Sequence, residues 1–221
     1  MEIFLDTSNI AEIEKWLRHG VIDGVTTNPS IMLNDGHRDN RTAAQEIAAL
    51  IHPRPVSVEV YTNDLDEMLT QAREFATWAE NIVIKITIIN EAGEPCLRVI
   101  KILEDEGIHV NCTACLSFSQ AVLAAKAGAT YVSLFVGRIN DEGNDGPEVI
   151  RKTRQWLDMW GSKSKIIVGS IRSVMDIQLT ALTGAHVITI PPFFISKMTD
   201  HKYSRFTVQQ FVSDGKKAFT S

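Results

Sequence analysis

The stretch Ile82-Val83-Ile84-Lys85-Ile86-Thr87 reads as a strand with Ile82, Ile84 and Ile86 on one face, and Ile88 continues that row. Val83, Lys85 and Thr87 take the opposite face. Four isoleucines suit the outer face of a sheet covered by helices, which turns Lys85 inward. The same alternation recurs along the chain. Val56, Val58 and Val60 oppose Ser57, Glu59 and Tyr61, and Val110 and Cys112 oppose Asn111 and Thr113. Val132, Leu134 and Val136 oppose Ser133 and Phe135. Polar side chains thus converge from several strands near their C-terminal ends, where barrel enzymes carry their chemistry.

Eight short apolar runs are present, at 3–6, 24–27, 56–61, 82–87, 108–113, 131–136, 165–170 and 187–190. Segments of helical period lie between them. The segment 9–18 carries Ile10, Ile13 and Leu17 on one stripe and stops near Gly20. The segments 97–106 and 119–127 stop at Gly107 and Gly128, and 64–80 and 147–160 are longer helices of the same kind. Pro147 suits a first helical turn, where its missing N–H costs nothing. Alternating strands and helices imply parallel strands, and eight units close into a (βα)8 TIM barrel of the α/β class. An open doubly wound sheet is the alternative, and no Gly-x-Gly-x-x-Gly turn follows the first strand. With no Pro/Gly/Ser-rich linker, residues 1–221 read as one domain. A C-terminal helix is predicted over 204–219.

The chain has 221 residues, 44% apolar and 22% charged side chains and a net charge of -5. This length buries a substantial core without metal or disulfide staples. The negative charge, with no dense Lys/Arg run, argues against a nucleic-acid partner. Three cysteines, an odd number, do not make a disulfide framework and fit a reducing, cytoplasmic compartment. The acidic start lacks the basic region of a signal peptide, and no apolar run approaches the roughly 20 residues of a membrane helix.

Lys85 is the sharpest chemical feature. An ammonium is costly in so apolar a run, so burial favours the neutral amine, which attacks a carbonyl to give a Schiff base. The competing reading is a structural ion pair with Glu59. A strand lysine also serves pyridoxal phosphate, although nothing else here marks that cofactor. Asp6 is either a general acid or base at the end of the first strand or the N-cap of the helix after Asp6-Thr7-Ser8-Asn9. Thr26, Asn28, Asn111, Thr113 and Ser133 supply neutral hydrogen bonds of the kind that orient a polyhydroxylated ligand. Arg138, Ser170 and Arg172 follow late strands, the last two leading into a helix near Ser173, and make an anion site. The competing reading is plain surface arginines. Cys112-x-x-Cys115 lacks a second pair, and the six histidines include no His-x-x-x-His, so no metal site is expected. The segment 34–41 reads as polar turn material, either a solvated loop or a lid.

Together these residues resemble the small-subunit transaldolase and fructose 6-phosphate aldolase family, class I Schiff-base enzymes on a (βα)8 barrel. The resemblance spans essentially the whole chain. It is carried by Phe4-Leu5-Asp6-Thr7, Gly24-Val25-Thr26-Thr27-Asn28-Pro29-Ser30, Val58-Glu59-Val60 and Ile84-Lys85-Ile86. Asn111-Cys112-Thr113, Ser133-Leu134-Phe135-Val136-Gly137-Arg138 and Gly169-Ser170-Ile171-Arg172 extend it. It implies that Lys85 forms the Schiff base and that Asp6 takes the C4 hydroxyl proton as the C3–C4 bond breaks. It further implies that Glu59 and Thr113 hold a catalytic water, and that Asn28, Asn111 and Ser133, with Thr26, bind the dihydroxyacetone hydroxyls. Arg138, Ser170 and Arg172 grip the terminal anion. No cofactor is implied.

Two positions separate the family's branches. Aldolases resemble one another in carrying Gln at the place of Glu59 and Tyr at the place of Phe135. This chain has the transaldolase pair. A tyrosine hydroxyl near the imine aids hydrolysis and release of dihydroxyacetone, whereas a phenyl ring leaves the enamine waiting for an aldehyde. The implied activity is therefore transfer of dihydroxyacetone from a ketose 6-phosphate or 6-sulfonate, with free aldol cleavage or a non-catalytic sugar-phosphate-binding barrel as alternatives. Thr87 and Leu134 stand where the family has Pro, beside the site, and a related branch acts on 6-deoxy-6-sulfofructose. The resemblance also implies a homo-oligomer, a pentamer or decamer. Phe206, Val208, Phe211, Val212 and Phe219 give the last helix an apolar surface fit to pack on a neighbouring subunit.

Overall fold

A computed structural model describes residues 1–219. Residues 220 and 221 of the expected domain lie outside them. Eight parallel strands close into a barrel in sequence order. They are β1 (Glu2–Asp6), β2 (Gly24–Thr26), β3 (Val56–Glu59), β4 (Ile82–Thr87), β5 (Val110–Cys115), β6 (Tyr131–Phe135), β7 (Lys165–Gly169) and β8 (Val187–Ile190). Around them run α1 (Ile10–Arg18), α2 (Pro29–Asn34), α3 (Asn40–Ile51), α4 (Leu65–Ala76), α5 (Leu97–Asp105) and α6 (Phe118–Lys126). The chain continues through α7 (Val136–Asp141), α8 (Gly146–Met159), α9 (Val174–Ala181), α10 (Pro192–Thr199) and α11 (Lys202–Phe219). The protein is a single-domain (βα)8 barrel with a C-terminal helix.

The alternation read from β4 holds around the ring. Ile84, Ile86, Val58, Val110, Cys112, Val132 and Leu134 all pack in the layer between strands and helices. A separate cluster of Phe4, Val83, Tyr131, Ile167 and Val187 fills the barrel axis and floors it. Phe4 meets Tyr131 edge to face, with ring centroids 6.2 Å apart. Gly24 makes room for that floor, since a Cβ there would stand 2.8 Å from the Phe4 ring. Helix starts are fixed by side-chain caps: Asn9, Asp39, Asp64, Ser117, Asp145 and Ser173 each accept a first-turn N–H.

Several boundaries differ from the sequence reading. Strand β3 ends at Glu59, and Tyr61 is exposed on the loop beyond it instead of facing inward. Strand β5 runs on to Cys115 because Ala114 adopts φ 59°, a bulge that shifts the register against β6 between Cys112 and Cys115. The extra residue turns both thiols to the buried outer side, with Sγ atoms 3.8 Å apart. Helix α4 stops at Ala76, and α3 starts at Asn40, inside the segment 34–41 that the sequence reads as turn material. Helix α11 starts at Lys202 and buries none of its residues. Among the described residues, no helix is long and apolar enough to cross a membrane.

Candidate active site

Above the apolar floor the inward side chains change character within one pleat. Two residues beyond Phe4, Val83, Tyr131, Ile167 and Val187 come Asp6, Lys85, Ser133, Gly169 and Thr189. All five line a cavity that encloses about 170 Å³ of water-sized space at the C-terminal end of the barrel. Thr26, Asn28, Asn111, Thr113, Phe135, Arg138 and Ser170 complete its wall. The predicted side chains therefore meet at one place, apart from Glu59 and Arg172.

Lys85 is buried at 5% exposure. Its Nζ donates to the Thr27 carbonyl at 2.9 Å and stands 2.9 Å from Glu59 Oε2. Parallel pairing sets this contact, because Glu59 and Lys85 are register partners on β3 and β4. Of the two readings of Lys85, the ion pair with Glu59 is present: the Lys85 nitrogen faces a carboxylate. The ion pair does not close the site, since the cavity reaches Lys85. Glu59 opens onto a second cavity of similar size, walled by Thr27, Asn28, His37, Arg38 and Tyr61 among others. Glu59 thus stands at the partition between the two and can accept a proton from Lys85.

Asp6 is not a helix cap. Asn9 caps α1, and Asp6 instead accepts a hydrogen bond from Thr26 Oγ1 at 2.6 Å. Burial pushes the Asp6 carboxyl above its ordinary range, opposed by the Thr26 hydrogen bond and the Lys85 charge and reinforced by Glu59. A carboxylate raised in this way suits proton exchange with a substrate hydroxyl. Thr189, a residue not singled out in the sequence, makes a short hydrogen bond to the Thr26 hydroxyl. Because the single Thr26 proton goes to Asp6, Thr189 is the donor to Thr26. The signal for Thr189 is the lone hydroxyl in Val187-Ile188-Thr189-Ile190 on the same parity as inward Val187.

The neutral groups are held just as firmly. Ser133 Oγ donates to Asn111 Oδ1 at 2.7 Å, and Asn111 Nδ2 donates to Ser57 Oγ at 3.2 Å, which fixes the Asn111 amide. Asn28 caps α2 through Oδ1, which accepts from the Ile31 N–H at 2.9 Å, so its Nδ2 is the atom left for a ligand. Thr113 Oγ1 is buried with no protein partner and faces the cavity.

At the rim, the Arg138 guanidinium lies over the Phe135 ring, 5.5 Å from its centroid. Ser170 holds φ 61°, a strained value for a residue with a Cβ. Its carbonyl accepts from the Gly137 N–H at 3.1 Å. Arg172 does not line the cavity; its guanidinium pairs with Asp141 at 2.6 Å. Two of the three predicted anion ligands thus reach the cavity directly. The helix expected near Ser173 is α9, which Ser173 caps by accepting from the Asp176 N–H at 3.1 Å. Among the described residues, no three His, Cys, Asp or Glu side chains stand close enough together to hold a metal ion.

Known proteins agree with this architecture. A probable transaldolase of Lactiplantibacillus plantarum is 42% identical over 216 residues, spanning 98% of this chain and 97% of that protein. A probable transaldolase of Dehalococcoides mccartyi is 41% identical over 216 residues, spanning 98% of each chain. Among solved structures, thiamine phosphate pyrophosphorylase from Pyrococcus furiosus matches with a TM-score of 0.60 at 12% identity, covering 86% of this chain and 85% of that one. So low an identity carries the barrel fold alone. Residues 3–220 match the family described as Transaldolase/Fructose-6-phosphate aldolase. With a relative above 40% identity along its whole length, a closed barrel and a lysine-centred polar cavity, the chain belongs to the transaldolase/fructose-6-phosphate aldolase family of enzymes.

Proposed function

We propose that the protein is a class I transaldolase working without a cofactor. It moves dihydroxyacetone from a ketose bearing a 6-phosphate or 6-sulfonate to an aldehyde such as glyceraldehyde 3-phosphate or erythrose 4-phosphate. Fructose 6-phosphate and 6-deoxy-6-sulfofructose are the candidate donors, with sedoheptulose 7-phosphate, whose phosphate lies one carbon further on, as a third. The observation that carries this reading is Lys85: buried, 2.9 Å from a carboxylate, and open to a polar cavity.

In this mechanism Glu59 takes a proton from Lys85, and the free amine attacks the ketose C2 carbonyl. The carbinolamine loses water to leave a protonated imine, with Glu59 and Thr113 handling the water. Asp6 removes the C4 hydroxyl proton, the C3–C4 bond breaks, and its electron pair moves into the iminium as an enamine. The first aldehyde departs. The enamine carbon attacks the acceptor carbonyl, Asp6 returns the proton to the new hydroxyl, and water releases the product from Lys85. Asn28, Asn111 and Ser133, with Thr26, hold the dihydroxyacetone hydroxyls. Arg138 and Ser170 take the terminal anion, and Arg172 joins them on leaving Asp141. The presence of Glu59 and Phe135 supports transfer over free cleavage.

We further propose a cytoplasmic homo-oligomer, pentameric or decameric, in which a neighbouring copy covers α11. The exposed Phe206, Phe211 and Val212 support this, as do three free thiols for the compartment.

The test is a transfer assay with fructose 6-phosphate and 6-deoxy-6-sulfofructose offered separately with one acceptor. Product forms with at least one donor, and borohydride traps an adduct on Lys85. Steady release of dihydroxyacetone without an acceptor overturns transfer in favour of aldolase activity. Absence of any adduct overturns catalysis in favour of a binding barrel. A monomeric elution volume at micromolar concentration overturns the oligomer.

A further inference from the structure

Ser8 lies two residues beyond Asp6, between the end of β1 and the start of α1, and is fully buried. A buried residue needs partners for each of its polar atoms. The Ser8 N–H donates to Asp35 Oδ2 at 2.9 Å, and the Ser8 hydroxyl donates to the same oxygen at 2.8 Å. The Ser8 carbonyl accepts from His37 Nε2 at 3.0 Å. Thr7 Oγ1 also donates to Asp35 Oδ2, at 3.2 Å. The polar bonds of this buried turn therefore end on two residues about 27 positions away, in the segment read from sequence as turn material.

Asp35 is also tied to the cavity from another direction. It closes α2, its N–H donating to the Ile31 carbonyl at 2.9 Å, and the other end of α2 is capped by the cavity residue Asn28. One short helix thereby joins Asn28 at its start to the clamp on the Asp6 strand end at its finish. Thr26, on the far side of Asp6, holds the carboxylate itself. Asp6 is steadied by Thr26 at its side chain and by Asp35 through the backbone that follows it.

We infer that Asp35 is a positioning residue for Asp6: by satisfying Ser8 it fixes the strand end from which the Asp6 carboxylate reaches the substrate. This rests on the role given to Asp6 under the proposed function. His37 supports the same turn from its carbonyl side. Misplacing a reacting group by about 1 Å costs on the order of a hundredfold in rate, and one carboxylate oxygen accepting three hydrogen bonds holds a turn against shifts of that size.

The test uses Asp35→Ala and Asp35→Asn in the full chain, with two readouts that draw on different residues. Dihydroxyacetone has no C4 hydroxyl for Asp6 to act on, so borohydride trapping of its adduct reports Lys85, Glu59, Thr113 and the residues that hold its hydroxyls, without Asp6. Transfer from fructose 6-phosphate needs Asp6 as well. In Asp35→Ala the trapping rate stays within about twofold of wild type while transfer kcat falls roughly ten- to a hundredfold with little change in KM. Asp35→Asn, whose amide oxygen still accepts from Ser8, recovers most of the loss. Equal losses of trapping and transfer, or no loss of either, overturn the positioning role alone. A wild-type chain that takes no adduct overturns the Schiff-base reading, and this role with it. Should Asp35→Ala lose its melting transition, Ser8→Ala removes only one of the three bonds. It gives a smaller split in the same direction, and parallel losses there overturn the proposal.

Discussion

Lys85 Nζ and Glu59 Oε2 stand 2.9 Å apart at the inner wall of the barrel, on residues that pair across β4 and β3. Removing one member strands the other. Breaking a buried pair typically costs about 3–5 kcal/mol, and Glu59, with 17% of its side chain exposed, falls at or below the lower end. Lys85→Met therefore lowers the urea midpoint and takes no borohydride adduct. The double variant Lys85→Met/Glu59→Gln regains much of the stability and none of the activity. A double variant no more stable than the single one contradicts this account of the pair.

In the proposed mechanism, activity loses its base when Asp6 is protonated. Burial raises that carboxyl above its ordinary value of 3.8, so the acidic limb of the transfer profile lies above the usual carboxylate range. The Thr26 hydrogen bond holds the value down. Thr26→Val moves the limb to higher pH, and Thr26→Ser leaves it near wild type. The check is log kcat against pH for the three proteins; a limb that stays fixed or moves down in Thr26→Val contradicts the assignment.

Gly137 lets the corner proposed to bind the terminal anion close. A Cβ there would stand 2.3 Å from the Ser170 carbonyl oxygen and 2.9 Å from both Ser170 Oγ and Arg172 Nε. Gly137→Ala displaces Ser170 and costs about 1–3 kcal/mol of stability. We expect KM for a phosphorylated donor to rise by about tenfold, the loss of one charge-assisted contact. Trapping of dihydroxyacetone, which has no terminal anion, is unchanged. A loss shared by both substrates contradicts the local effect.

His186 makes folding stability depend on pH. Burial, then the charges of Arg154 and Lys165, lower its value below 6.5, and Nδ1 accepts from the Ile166 N–H at 2.9 Å. The unfolded chain therefore takes up the proton first as pH falls. This contribution is complete above the unfolded value and is lost as pH drops through about 6.5 toward the lower folded value. Urea midpoints measured across that window fall for the wild type and fall less for His186→Asn.

The barrel is legible in the sequence because isoleucine and valine rows mark the outer faces of β3 to β6, and the residues between them line the cavity. Features that arise from tertiary contact are less legible. Asp6 in Asp6-Thr7-Ser8-Asn9 competes with Asn9 for the cap, and the folded chain gives the cap to Asn9 and pairs Asp6 with Thr26. The bulge at Ala114 has no local signature, since alanine does not favour a positive φ. Arg172 stands in the expected motif, but Asp141, about 30 residues earlier, holds its guanidinium. Asp35 and His37 look like ordinary turn residues until the chain folds back onto Ser8.

The Phe4 ring over Gly24, with Val83, Tyr131, Ile167 and Val187 around it, seals the lower end of the barrel. Traffic along the axis is impossible, so a donor and an acceptor that both reach Lys85 must use the same upper doorway. In the proposed transfer an outgoing aldehyde vacates the room its successor needs, so donor and acceptor take strict turns. The expected kinetics are ping-pong, with parallel lines when reciprocal velocity is plotted at several acceptor concentrations; intersecting lines contradict the proposed transfer.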